Sequence, residues 1–404
     1  MISVDDALGR ILAPLTPMPA EQVGISGALG RVLAADVAAR TTQPPVAVSA
    51  MDGYAVRAAD VANVPARLEI VGEVPAGQTY DGEVSIATAV RIFTGAPVPS
   101  GADAIVIQED TTRDGNRVVV RERAEAGTYI RPTGLDFSEG DVLLKENHLM
   151  TARDVGLAAA MNVSWLAVRR KPRVAILATG DEVVLPGDPM GPARVVSSNN
   201  FSLAALVEAA GGVAITLGIA ADDPASLSAM ASGAAGADFL VTTGGASTGD
   251  HDLVQSVLSE HGLKVDFWRI AMRPGKPLMF GHFGDVPMLG LPGNPVSTVV
   301  CGILFLVPAI ERMLGLARPA EPKRTAILGC DVDANDRRQD YLRATLSYGA
   351  DGDAIATPFP IQDSSMFARM AEASCLVVRA PHAPPAPAGT RVEIIPLKGG
   401  SVGI

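Results

Sequence analysis

Hydrophobic positions recur with two different periods along the chain, and the period changes three times. Near the N-terminus Leu8, Ile11, Leu12 and Leu15 share one face at helical spacing. Ser3 with Asp6 gives a capping-box pattern, so a helix is expected over residues 3–15. Leu29, Val32 and Leu33 predict a second short helix over residues 26–37. From Thr41 the pattern shortens. Gln43-Pro44-Pro45 breaks the chain, and alternating runs follow at residues 67–71, 90–93, 104–107 and 117–121. Gly, Pro and Asp punctuate them, as in a small β domain. A further helix is expected over residues 152–161 in the connector 141–171.

From Pro172 apolar runs alternate with helical patterns. Strands are expected at 173–178, 213–219, 238–242, 265–270, 278–283 and 288–291. Helices are expected at 199–210, 224–235 and 250–261, and from about Pro295. Such alternation predicts a mostly parallel sheet covered on both faces. After about Ala320 strands return, at 325–330, 341–347, 354–357, 375–378 and 391–395. The fold class is therefore multidomain, α/β plus β: a central α/β domain, an inserted β domain, helical and extended flanking segments, and a C-terminal β domain.

Composition narrows the function. The chain has 404 residues, 48% of them apolar and 19% charged, which excludes a disordered chain and leaves room for several cores. A formal net charge of -11 argues against a nucleic-acid partner. Cys301, Cys330 and Cys375 show no C-x-x-C spacing, so free thiols in a reducing compartment are expected. The N-terminus carries acids where a leader peptide carries bases. The apolar segment 286–310 is interrupted by Pro292, Gly293, Asn294 and Pro295. The helix after that break is shorter than the roughly 20 apolar residues of a bilayer span, so it reads as a core helix. The expectation is a cytoplasmic protein with no membrane partner.

Three glycine loops follow predicted strands: Thr179-Gly180-Asp181-Glu182, Thr243-Gly244-Gly245-Ala246-Ser247 and Leu291-Pro292-Gly293-Asn294-Pro295. Bare backbone N–H groups at strand-to-helix turns hold phosphates and other oxyanions. In open α/β sheets ligands bind at the carboxyl ends of the strands. Three such loops point to a large, multiply anionic ligand. Carboxylates cluster nearby at Asp181, Glu182, Asp222, Asp223, Asp250 and Asp252. Magnesium takes few carboxylates plus water and substrate phosphates, which suits Glu182 and Asp252; Asp223, before Pro224, reads as a helix cap. The run from Arg269 to Pro277 holds Arg273 and Lys276 on one Pro- and Gly-fixed turn, an oxyanion pocket or a solvated basic turn. The segments Ser49-Ala50-Met51-Asp52-Gly53-Tyr54-Ala55 and Thr94-Gly95-Ala96-Pro97-Val98-Pro99 read only as turns.

In their order and spacing these segments, with Pro274-Gly275-Lys276-Pro277 and Asn294-Pro295-Val296-Ser297, resemble the molybdopterin molybdenumtransferases. This is the family of bacterial MoeA and of the C-terminal part of gephyrin, and the resemblance runs over nearly the whole chain. It implies an elongated four-domain homodimer. Residues 1–40 and 141–171 would form dimerisation segments and 41–140 the inserted β domain. Residues 172–320 would form a molybdopterin-binding α/β domain and 321–404 a barrel-like β domain. The implied reaction takes adenylylated molybdopterin and molybdate, uses Mg2+, and releases AMP with the finished cofactor.

By the same resemblance, Thr179, Gly180, Asp181, Gly244, Gly245, Ser247, Pro292, Gly293 and Asn294 would bind the substrate and its phosphates. Arg273, Lys276, Ser297, Arg343 and Ser364 would bind molybdate. Glu182, Asp222 and Asp252 would serve the metal and the catalytic step, and Asp52 and Thr94 would complete the site from the other subunit. Arg stands at 269 and 273, where the family usually has Lys. Implied partners are a molybdopterin adenylyltransferase and the apoproteins of molybdenum enzymes. A non-catalytic molybdopterin-binding scaffold and the adenylyltransferase itself are the competing functions.

Overall fold

The computed structural model describes residues 1–244, 263–316 and 324–397. The helix predicted at 250–261, and with it Gly245, Ser247, Asp250 and Asp252, lies outside the described residues.

The α/β unit carries a six-stranded sheet. Its strands are numbered here within the unit: β1 Arg173–Thr179, β2 Val213–Ala220, β3 Phe239–Thr243, β4 Leu263–Trp268, β5 Met279–Phe283 and β6 Val286–Leu291. The order across the sheet is β2-β1-β3-β6-β5-β4. The pairs β1–β2, β1–β3 and β3–β6 are parallel, and β5 runs antiparallel to both its neighbours. Strand β1 is buried on both faces, because Val174 and Ile176 enter one core while Ala175 and Leu177 enter another. The chain leaves β1 for β2 on one side and reaches β3 on the other. That reversal opens a crevice at the carboxyl ends of β1 and β3.

The first core extends beyond this unit. Val4, Ala7 and Ile11 of the N-terminal helix Val4–Leu12 pack into it, as do Tyr341, Met370 and Leu376 from the C-terminal domain. Ser3 caps that helix, its hydroxyl accepting from the N–H of Asp6 at 3.1 Å. The apolar helical stretch Pro295–Met313 is 19 residues long, so length alone does not exclude a membrane span as the sequence suggested. Its burial decides the matter, since 72% of its apolar window lies inside the protein.

Residues 26–37 do not form the expected helix. A 3-10 turn at Ile25–Gly27 gives way to extended chain, with Val32 bridging Leu149 and Leu33 bridging Val168. Gly30 takes φ +72°, and the same apolar spacing serves long-range pairing instead of a helix. The inserted domain is a six-stranded sheet with separate cores on its two faces. In the C-terminal domain five strands, Gln339–Tyr348, Ala354–Pro358, Arg324–Leu328, Arg391–Pro396 and Cys375–Arg379, close into a barrel.

One ion pair ties the connector to the sheet. Arg170 donates from both terminal nitrogens to Asp238, at 2.9 and 2.7 Å, and the Arg173 N–H donates to the same carboxylate at 2.7 Å. Burial raises the Asp238 pKa, but these bonds outweigh it and leave the carboxyl below its ordinary value. A depressed folded-state pKa adds stability above the unfolded value, and that stability is lost as pH falls through the folded one. Asp238→Asn is therefore expected to cost about 2 kcal/mol at neutral pH. Thermal unfolding followed into acid checks this: the gap from wild type should shrink as Asp238 protonates.

Candidate active site

The carboxyl ends of β1, β3 and β6 meet around a cavity of about 620 Å³. Thr179, Glu182, Thr243, Gly244, Gly293 and Asn294 are among the residues that line it. All three glycine loops of the sequence therefore border one space. Gly244 takes φ +92°, and a Cβ there would lie 2.4 Å from the Thr179 carbonyl oxygen, so only glycine lets the first two loops approach.

Asn199, at the start of the helix Asn199–Ala209, joins the second and third loops. Its amide donates to Thr243 Oγ1 at 2.9 Å and to the Gly293 carbonyl at 2.8 Å. Thr298 holds the third loop from below, donating to the Pro292 carbonyl at 2.6 Å. The cavity wall keeps unused polarity: Thr179 Oγ1, Ser197 Oγ and Asn199 Oδ1 are buried without a hydrogen-bond partner. Buried polar atoms are rarely left so, and a polar ligand would satisfy them. Neither Asn199 nor Ser197 was assigned a role from the sequence. The partners of Asn199 (Thr243 and Gly293) lie tens of residues away, and Ser197 Oγ has none.

Asp181, Glu182 and Asp222 meet at one corner. Asp181 Oδ1 accepts the N–H of Asp222 at 2.9 Å. Burial, and then the charges of Asp181 and Glu182, raise the Asp222 pKa. Asp223 is a helix cap, its side chain accepting from Ser226 N–H at 2.9 Å. Among the described residues no group of three or more His, Cys, Asp or Glu is placed to hold a metal ion by itself.

A loop of the C-terminal domain docks on the third glycine loop. Asn294 donates to Ser364 Oγ at 2.8 Å, the Val296 N–H donates to the Ser364 carbonyl at 3.1 Å, and Ser365 lines the cavity. Arg343 is buried beneath this loop, donating to Gln362 Oε1 at 3.3 Å and to the Met366 carbonyl at 3.3 Å. Burial lowers its pKa, and the charge of Asp363 offsets this only in part. Ser297 is buried in the helix Pro295–Cys301. Lys276 is half-buried beside the cavity-lining Pro277 and makes no hydrogen bond or ion pair among the described residues.

Arg273 is placed differently. Its Nε donates to Asp340 Oδ1 at 2.7 Å, Nη2 donates to Asp340 Oδ2, and Nη1 lies 3.8 Å from Asp336. It lines a separate cavity of about 240 Å³ against the barrel.

Asp52 and Thr94 sit on the inserted domain and do not line the large cavity. Asp52 Oδ1 accepts both the N–H and the hydroxyl of Thr94, at 2.7 and 2.8 Å. These bonds lower the Asp52 pKa, and Arg91 adds to the effect. Two segments that sequence alone read as idle turns thus form one anionic surface feature.

Three family models match this chain. The MoeA N-terminal region, domains I and II, matches residues 2–162. A probable molybdopterin binding domain matches 175–312, and the MoeA C-terminal region, domain IV, matches 325–397. A molybdopterin molybdenumtransferase of Nostoc is 37% identical over 359 residues, covering 86% of this chain and 82% of its own. One from Haemophilus influenzae is 31% identical and covers 98% of this chain and 99% of its own. A crystal structure of a Pyrococcus molybdopterin biosynthesis MoeA protein superposes with a TM-score of 0.87 at 31% identity, covering 99% of this chain and 100% of that one. With this architecture and these relatives, the chain belongs to the molybdopterin molybdenumtransferase family, enzymes of molybdenum cofactor biosynthesis.

Proposed function

We propose that the enzyme inserts molybdenum from molybdate into adenylylated molybdopterin. Water cleaves the phosphoanhydride, and AMP leaves with the completed cofactor. The observation that carries this reading is the large cavity, rimmed by three glycine loops and walled by unpartnered buried polar atoms. A pterin bearing a diphosphate supplies the oxyanions that such loops bind and the acceptors and donors those atoms lack.

Molybdate is a tetrahedral dianion and needs a cationic neighbour. Lys276 and Arg343, with Ser297 and Ser364, supply one where the C-terminal domain docks. Mg2+ fits the acidic corner: Glu182 and Asp222 are hard oxygen donors, and burial, followed by the charges of Asp181 and Glu182, raises the Asp222 pKa, as expected where carboxylates gather. Together with substrate phosphates they would hold the ion, which would neutralise charge on the diphosphate. The protein's own part is positional: it fixes the two substrates together and excludes bulk water.

Asp52 and Thr94 complete the site from the partner subunit of a homodimer. Leu29, Leu143, Leu149 and Trp165 are exposed on the flanking segments, Trp165 to 60%, and offer an apolar surface for that contact. The enzyme works in the cytoplasm, receiving substrate from the adenylyltransferase and passing cofactor to apoproteins.

Mixing two impaired variants tests the composite site. Asp52→Ala and Lys276→Ala are each expected to lower AMP release by about a hundredfold or more. After subunit exchange, mixed dimers carry one site with both residues intact. Recovery of about a quarter of wild-type activity is the expected result for random pairing. No recovery, with exchange verified, would place both residues in a site built from one chain. EDTA should silence the wild type and Mg2+ should restore it.

A further inference from the structure

We infer that Arg273 is a positioning residue that clamps the cationic turn to the barrel, so that Lys276, and not Arg273, meets the incoming oxyanion. The inference rests on the proposed function for the identity of that oxyanion.

Four contacts fix the turn. Backbone pairing sets Met272 against Gln339 and Arg273 against Asp340 at the edge of the barrel sheet, and Gln339 N–H donates to the Ala271 carbonyl at 2.9 Å. The Ile270 N–H donates across the turn to the Lys276 carbonyl at 3.1 Å. Gly275, at φ +113°, packs so tightly that a Cβ would lie 2.5 Å from Cys301 Sγ. The fourth contact is the two-bond pairing of Arg273 with Asp340.

That last pairing consumes the fork of the guanidinium. An Arg engaged through Nε and Nη2 with one carboxylate, and facing Asp336 with Nη1, is already neutralised. A dianion gains little from it. Asp340 is only 3% exposed, and a buried carboxylate of this kind is held by its partner; pulling Arg273 away would leave it unpaired. Arg273 also faces the smaller cavity, whose other charged walls are Asp331, Asp333, Asp340 and Arg379, so acids outnumber bases around it and an anion gains little there. Three residues further on, Lys276 is half-buried next to Pro277, which lines the large cavity, and makes no hydrogen bond or ion pair among the described residues. The shape of Arg matters here, since a lysine cannot make the paired two-bond contact that aligns one turn on one carboxylate.

The test is a set of three variants: Arg273→Met, Asp340→Asn and the double. If the pair positions Lys276, both single variants raise the molybdate KM for AMP release by about tenfold, and the double variant is no worse than either, because one interaction is lost in each case. If Arg273 binds the oxyanion directly, Asp340→Asn frees it, and molybdate KM stays put or falls while Arg273→Met alone suffers. That result overturns the inference, as does an unchanged KM in all three. Hydrogen exchange over residues 270–277, measured without any ligand, gives an independent reading. Both singles should exchange at least tenfold faster there than wild type, and unchanged exchange overturns the clamp. A wild type that ignores molybdate, with the exchange effect intact, would refute the proposed function and leave the clamp standing.

Discussion

Gly244→Ala is expected to destabilise the enzyme by about 3 kcal/mol and to weaken substrate binding by about a hundredfold or more. Two costs combine. The backbone sits at φ +92°, where an L side chain is strained, and the new Cβ would press on the Thr179 carbonyl oxygen at 2.4 Å and Thr179 Oγ1 at 2.9 Å. The carbonyl belongs to the last residue of strand β1, which still pairs with Ala220 of β2, so the sheet resists its movement. Relief must come from moving the β3 loop, and that loop lines the cavity. Gly236→Ala is the control. It has a similar φ of +81° but open space around its Cβ position, so it carries strain alone, about 1 kcal/mol. Thermal unfolding and equilibrium binding of adenylylated molybdopterin should separate the two variants; equal effects would show that the close approach of the loops is immaterial.

Lys276→Ala is expected to lower molybdate-dependent AMP release by about 10²- to 10³-fold, the usual loss when one preorganised charge partner of an oxyanion is removed. Molecular stability should hardly change, because the Lys276 side chain makes no hydrogen bond or ion pair among the described residues. Lys276→Arg should recover only part of the rate: it keeps the charge but replaces a compact ammonium by a planar fork. Single-turnover rates at saturating substrate, with unfolding curves on the same preparations, check both statements. A stable Lys276→Ala enzyme at near wild-type rate would remove Lys276 from the site.

The parts of this account that were legible in the sequence are those written in local pattern. Alternating strands and helices from Pro172 onward predicted the central sheet, and the glycine loops at its strand ends marked the cavity. Asp223 before Pro224 read as a cap and is one. The illegible parts depend on contacts between distant positions. The segment 26–37 has helical spacing, yet Val32 and Leu33 find partners more than a hundred residues away. Asn199 is silent until the fold brings Thr243 and Gly293 to it. Arg273 reads with Lys276 as an oxyanion ligand because the two share a short turn; its pairing with Asp340, 67 positions on, follows from no local rule. The same limit explains why Asp52 and Thr94 read as separate turns when they form one hydrogen-bonded unit.

The most direct test of the central claim is single-turnover release of AMP from adenylylated molybdopterin by the wild-type enzyme with Mg2+, with and without molybdate. The account predicts rapid AMP release that depends on molybdate and yields molybdenum bound to the pterin product. Tight substrate binding with AMP release that is absent, or indifferent to molybdate, would contradict it.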